Sequence, residues 1–273
     1  MTALPESEVI SVEINSHVAT VWLDRPDKLN AMAPDFWDEF PAIIGALGDD
    51  DAVRVIVIAG RGSAFTAGID LMAFAPMFAT TVSDVASRRQ LYQRIKSMQH
   101  TFTSLADCPK PVIAAIHGYC IGAGVDLITA CDIRLATADA VFSVRETRIG
   151  LVADVGTLQR LPTIIDPGRV AELVYTGKDF TAEDAATMGL VSHVYPDVDT
   201  LRTEAMAMAE EIAANSPLVV QGTKQVLRAG KNMSIEDALD YVAVWNAGFL
   251  TSNDLHEAVT AYMEKRPPKF DGT

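Results

Sequence analysis

Two short apolar runs constrain this chain most. Apart from Arg54, residues 53–59 (VRVIVIA) and 112–116 (VIAAI) are β-branched or small, as buried strands are, and each is closed by a turn. Gly60-Arg61-Gly62-Ser63 breaks the first, and a turn follows the second within IAAIHGYC. Between them, residues 82–106 have a helical pattern that stops at Cys108-Pro109-Lys110-Pro111. Upstream, residues 9–14 and 18–23 read as strands around Asn15-Ser16-His17. Residues 34–47 read as a helix with Pro34 in its first turn and Gly48 at its end. Downstream, residues 125–130 open another helix, and 133–136 and 141–144 are short strands. Strand–strand–helix alternation of this kind predicts an α/β core with crossover helices.

The last third differs. Residues 181–188, 201–215, 217–229, 235–250 and 253–265 are all helical in pattern, with caps expected at Thr181, Thr200, Ser216, Ser234 and Ser252. Ser234-Ile235-Glu236-Asp237 resembles a capping box. No Pro-, Gly- or Ser-rich linker separates the tail, and no repeat is evident. The expected organisation is one integrated unit: an α/β core over residues 1–200 and a helical extension over 201–273.

The charge balance narrows the partners. With 22 Lys+Arg against 36 Asp+Glu, the formal net charge is −14, which argues against a nucleic-acid protein. Any polyanion bound here must be held by a few local cations and aimed backbone N–H groups. Three cysteines, Cys108, Cys120 and Cys131, form no C-x-x-C pair and read as buried, reduced thiols. No signal peptide or membrane span is evident, and the ending KFDGT is not a peroxisomal tripeptide. These features together predict a cytoplasmic protein.

Two segments share one design of strand, small-residue turn and helix start: Ala64-Phe65-Thr66-Ala67-Gly68-Ile69-Asp70-Leu71 and Gly118-Tyr119-Cys120-Ile121-Gly122-Ala123-Gly124-Val125-Asp126. Such a turn leaves backbone N–H groups unpaired and unshielded, aimed at an anion or carbonyl oxygen. Tight strand–helix packing demands small residues too. A dinucleotide fingerprint is disfavoured, because Leu127 stands where its third glycine would fall.

Three acids stand out: Asp126, Glu146 and Asp154. Asp126 lies in the first turn after the second glycine loop, where a carboxylate favours the helix dipole. Glu146 stands between Arg145 and Arg148 and could be a solvated ion pair. Asp154 lies in Gly150-Leu151-Val152-Ala153-Asp154-Val155-Gly156, which has no other polar side chain. An acid there is desolvated or faces a partner. If Asp154 and Glu146 share a pocket, they titrate as a coupled pair, suited to taking a proton at one carbon and returning it at another. His117 reads as a packing or hydrogen-bonding residue. No metal-binding spacing and no G-x-S-x-G nucleophile motif is present.

The segments PKPVIAAIHGYCIGAG and CDIRLAT, with residues 63–71 and 142–162, resemble the crotonase (enoyl-CoA hydratase/isomerase) superfamily over essentially the whole chain. FTAGIDLM, GVDLITACDIR and VRETRIGLVADVGTLQRLP are similar to its Δ3,5-Δ2,4-dienoyl-CoA isomerase branch. Hydratases typically have Gly at the Asp154 position and Glu at the Asp126 position. The resemblance implies a spiral of ββα repeats with a helical C-terminal trimerisation region, assembled as trimers or dimers of trimers. It implies an acyl-CoA substrate, with CoA part of that substrate and no separate cofactor. Ile69 and Ala123 would supply oxyanion N–H groups to the thioester carbonyl. Glu146 would handle the C2 proton, Asp154 would serve C6, and Asp126 would orient or tune the pair. Lys28, Leu29, Phe65, Thr66, Ala67 and Gly68 would contact substrate, as would Tyr262 and Lys265 of the C-terminal helix, often from a neighbouring subunit.

Two departures from the family pattern bear on this. Ala123 stands where Gly is common, so its φ must be negative. Arg148 stands where the branch often has an acid, and is expected to point to solvent. Met72, Phe74, Met77 and Phe78 either line the acyl pocket or are core. A Δ3-Δ2 enoyl-CoA isomerase or an enoyl-CoA hydratase is the alternative reaction. A non-catalytic crotonase-like binding protein is the alternative of another class, but it would have lost the acids or the small loop residues.

Overall fold

The computed structural model describes residues 4–79 and 84–273, with only the backbone of residues 78 and 79. The chain opens with β1 (Ile10–Asn15), β2 (Val18–Leu23) and α1 (Pro34–Asp49). Next come β3 (Val55–Gly60), α2 (Leu71–Ala79), α3 (Val85–Asp107), β4 (Val112–Ile116), β5 (Tyr119–Ile121) and α4 (Ala123–Ala130). Strands β6 (Ile133–Thr137) and β7 (Val141–Ser143) are followed by α5 (Thr157–Arg160), α6 (Pro167–Thr176), β8 (Phe180–Thr181), α7 (Ala182–Thr187) and β9 (His193–Tyr195). Helices α8 (Val198–Ala213), α9 (Pro217–Gly230), α10 (Ile235–Phe249) and α11 (Asn253–Glu264) complete it.

A six-stranded sheet has the order β1-β2-β3-β4-β6-β9, parallel except for the β1–β2 hairpin. A second sheet, β5-β7-β8, lies beside it. After β3 the chain bridges into the second sheet through Thr66 and Cys120. After β4 it enters β5, and after β6 it enters β7. Each turn therefore adds a strand or bridge to both sheets before the next helix: the expected crotonase-like ββα spiral.

The period of two in β3 serves both faces of the large sheet. Ile56 and Ile58 face the main core with Phe36, Trp37, Phe40 and Phe102. Val55, Val57 and Ala59 face a second core built with Leu201, Ala205, Ala209 and Ala213 of α8. The alanines of that stripe let α8 lie close against the sheet. The boundary expected at residue 200 thus falls inside a helix belonging to the core. The separate helices are α9 to α11, among which α10 has no buried residue.

Several local expectations change. Residues 71–79 form a helix, which the periodicity did not reveal because Pro76 lies inside it. Phe74 is buried and Met77 partly so, while Met72 is exposed. The Phe78 side chain and the expected helix start at Val82 lie outside the described residues. Asp197, not Thr200, caps α8, since its carboxylate accepts from the Thr200 N–H. Ser234 caps α10, but the reciprocal capping box occurs at Thr181 and Asp184. The elements β5, β8, β9 and α6 are too short or too weakly patterned to be read from sequence.

Because Leu201 is fully buried against the sheet, Leu201→Ala should cost about 2–5 kcal/mol in urea unfolding. A cost under about 0.5 kcal/mol, typical of exposed positions, would place α8 outside the cooperative core.

Candidate active site

The two small-residue loops are held side by side. Thr66 N–H donates to the Tyr119 carbonyl (2.8 Å), and Ile121 N–H to the Thr66 carbonyl (3.1 Å). Gly68, at φ +85, fits because a Cβ there would stand 2.5 Å from the Ile121 carbonyl oxygen and 3.4 Å from the Ala123 nitrogen. Gly124 fits for the same reason against Thr66. On the other flank, Met32 N–H donates to the Gly68 carbonyl (2.7 Å), and Asp70 N–H to the Met32 carbonyl (3.1 Å). Ile69 lies between these bonds, and its own N–H has no acceptor among the described residues. Ala123 is the first residue of α4, after Gly122 at φ +54, and its N–H likewise has no protein acceptor. Its methyl group is tolerated because the backbone there is helical, with negative φ.

Asn30 braces the first loop. It is buried at φ +54, its amide donates to the carbonyls of Arg61 and Ala64, and its own carbonyl accepts from the Thr66 hydroxyl. Phe65 and Thr66 are fully buried, so they build the loop from within. The Leu29 carbonyl accepts from Ala67 N–H (2.9 Å), and Lys28 is exposed beside it. Tyr262 and Lys265, at the end of α11, are exposed and make no side-chain bond to these loops among the described residues. Arg148 lies outside the site: its Nε donates to the Thr176 carbonyl (3.2 Å). His117 fills the expected packing role, with Nε2 3.0 Å from the Gly62 carbonyl oxygen.

Glu146 lies against the second loop, within electrostatic reach of both Asp126 and Asp154. Glu146 opens a 3₁₀ turn, and a Cβ on Gly122 would stand 3.4 Å from its Oε1. Asp126 is fully buried, and its Oδ1 accepts from the Thr157 N–H. The Asp126 Oδ2 and Glu146 Oε2 are buried without a partner among the described residues. Asp154 is half-buried, and its backbone carbonyl accepts from Gln99 Nε2 (2.7 Å). None of the three acids forms an ion pair among the described residues. Thr157, Gln99 and Asn30 carry no motif that singles them out in the sequence.

Burial, then the charge of Glu146, pushes the Asp126 carboxyl up to about 7, against the hydrogen bond from Thr157. Burial also raises Glu146, and the charge of Asp154 adds to it. Burial raises Asp154. All three acids therefore hold protons more tightly than ordinary carboxylates. No cluster of potential metal ligands exists among the described residues, and no described helix is long and apolar enough to cross a membrane.

The raised value fixes the sign of a stability effect. Asp126 stabilises the fold fully below its ordinary value of about 4, and this is lost as pH rises through about 7. Asp126→Asn keeps the acceptor for Thr157 but cannot ionise. Its Tm relative to wild type should therefore rise between about pH 4 and about pH 8. A pH-independent difference in thermal scans would contradict this assignment.

The enoyl-CoA hydratase/isomerase family model matches residues 13–273. The chain is 45% identical over 266 residues to the peroxisomal Δ(3,5)-Δ(2,4)-dienoyl-CoA isomerase of Arabidopsis thaliana, covering 96% of each chain. It is also 45% identical to the mitochondrial enzyme of that name from Rattus norvegicus, over 95% of this chain and 81% of that one. Among solved structures, the enoyl-CoA hydratase of Bacillus anthracis superposes with a TM-score of 0.90 at 31% identity, over 97% of this chain and 100% of that one. The peroxisomal and mitochondrial relatives overturn the expectation of a cytoplasmic protein. Organelle addresses are read by receptors, so acidity and reduced thiols do not separate these compartments. The ββα spiral, the paired glycine loops and the match over nearly the whole chain lead to one conclusion: the chain belongs to the enoyl-CoA hydratase/isomerase family.

Proposed function

We propose that this protein is an isomerase that converts a 3,5-dienoyl-CoA into the conjugated 2,4-dienoyl-CoA. The observation that carries this reading is the seat of Glu146 against Gly122, next to the unpaired Ala123 N–H and within electrostatic reach of Asp154. The thioester carbonyl oxygen accepts from Ile69 N–H and Ala123 N–H. Charge that develops on this oxygen is stabilised there, by about 3–4 kcal/mol per donor in comparable sites. Glu146 takes a proton from C2, which leaves a dienolate extending from the oxygen to C6. Asp154, whose carboxyl burial raises, donates a proton to C6. The electron pairs settle as C2=C3 and C4=C5, and the thioester carbonyl is restored. Two carboxyl groups in one pocket repel each other when both are ionised, so the pair favours holding one proton, as this transfer requires. Asp126, pushed up to about 7 by burial and the charge of Glu146, orients the pair from behind.

Binding of the CoA phosphates falls to Lys28 beside the first loop and to Lys265, against the overall charge of −14. Lys265 and Tyr262 act on the site of a neighbouring copy. A homo-oligomer, a trimer or dimer of trimers, is supported by the apolar side chains exposed along α9 to α11, among them Leu227, Ile235, Leu239, Val244 and Met263.

A second reading rests on the unpartnered Asp126 Oδ2 and Glu146 Oε2, which could hold a water for hydration. Supplying 3,5-octadienoyl-CoA separates the two readings. The isomerase forms a conjugated 2,4-diene, followed by its ultraviolet absorbance, whereas a hydratase forms a 3-hydroxyacyl product from a 2-enoyl-CoA and leaves the diene unchanged. Glu146→Gln and Asp154→Asn should each lower kcat by about 10²–10⁴. Full activity in Glu146→Gln would sink the proton transfer, and full activity in Asp154→Asn would sink the dienoyl assignment. Sedimentation velocity should show an oligomer that Leu239→Asp or Val244→Asp dissociates. A monomeric wild type would overturn the assembly.

A further inference from the structure

Arg160 is a cation whose charge acts on Asp126. It ends the single turn of α5 and folds back over its start. A Cβ on Gly156 would stand 1.8 Å from Nη1 and 3.0 Å from Cζ, so the guanidinium lies where only glycine leaves room. Nη2 donates to the Thr103 hydroxyl on α3 (3.0 Å), and Nη1 reaches toward the Val155 carbonyl (3.4 Å). The Thr103 hydroxyl in turn donates to the Gln99 carbonyl (2.8 Å). The Gln99 amide donates to the carbonyl of Asp154. Residues 99 and 103 are one helical turn apart and share a face. The segment that carries Asp154 is therefore fastened to α3 at two points, Gln99 at Asp154 itself and Arg160 just beyond it. In the same segment, Thr157 N–H fastens Asp126.

Other charges around this spot are few. Asp126 faces Glu146 and Arg160, and the neighbouring Cys120 thiol is held neutral by burial. Arg160 faces Asp126 and, from α3, Asp107, yet it forms no ion pair with either among the described residues. A half-buried guanidinium near Asp126, with no ion pair among the described residues, is placed to act through its field and through its hydrogen bonds to Thr103 and Val155.

We propose that Arg160 is a positioning residue of this active site: it locks the Asp154–Gly156 turn to α3 through Thr103 and supplies the positive charge behind Asp126. The kinetic part rests on the isomerase reading, while the electrostatic part can be read without substrate.

Three variants separate the two roles. In Arg160→Met, kcat for 3,5-octadienoyl-CoA should fall about 10- to 100-fold with KM within about threefold, as expected when a reacting group is misplaced. Thr103→Val removes the anchor and keeps the charge, so kcat falls. Arg160→Lys also keeps the charge but loses the planar fork. The charge is read by infrared difference spectroscopy, through the protonated-carboxyl band that Asp126→Asn abolishes. Its midpoint should rise in Arg160→Met and stay at the wild-type value in Arg160→Lys and Thr103→Val. A wild-type midpoint together with wild-type kcat in Arg160→Met would overturn the proposal. So would a loss of kcat matched by an equal rise in KM with the midpoint unmoved. If the wild-type protein does not turn over the diene, the isomerase reading fails, and the infrared midpoint still decides whether Arg160 acts on Asp126.

Discussion

Repulsion among three closely placed carboxyl groups is what the rest of this structure has to sustain. Asp126, Glu146 and Asp154 are drawn into largely buried space with no ion pair to any of them among the described residues. Left to themselves, such groups would move apart or reach solvent. They stay because each is fixed through backbone that other elements hold. Asp126 accepts from the start of α5, Glu146 lies in a 3₁₀ turn against Gly122, and the carbonyl of Asp154 is tied to α3.

The ββα spiral makes this possible. Each turn of the chain passes from the large sheet to the small one before a helix begins, so successive loops arrive at one edge. The loops that follow β3 and β5 are brought close enough that a side chain at Gly68 or Gly124 would collide. The same closeness leaves the N–H groups of Ile69 and Ala123 adjacent and unpaired. Glu146 thus stands beside the same helix start whose first N–H, that of Ala123, is left for a carbonyl oxygen. Large apolar cores on both faces of the main sheet stabilise this arrangement against the penalty of the buried acids.

Much of this was legible in the sequence. The VRVIVIA and VIAAI runs gave strands buried on both faces, and the glycine loops gave the site its two N–H groups. Asp154 was legible because an acid in an apolar stretch needs a reason to be there. The supporting residues were not. Asn30, Gln99, Thr157 and Arg160 are ordinary polar residues whose roles depend on tertiary neighbours up to 57 positions away. The helix over 71–79 was hidden by Pro76, and α8 was assigned to the tail because its alanine stripe resembles a surface helix until the sheet it covers is seen. The compartment is not legible, because nothing in acidity or thiol count distinguishes a cytoplasmic protein from organellar relatives such as these.

The central claim is that one acid takes the C2 proton and a different acid delivers another to C6. Turnover of 3,5-octadienoyl-CoA in deuterium oxide, with the deuterium in the product located by NMR, tests it most directly. Delivery by Asp154 of a solvent-exchanged proton predicts deuterium at C6 of the 2,4-dienoyl-CoA from the first turnover. A product without deuterium at C6, or with deuterium at C4 in an unconjugated diene, would contradict it.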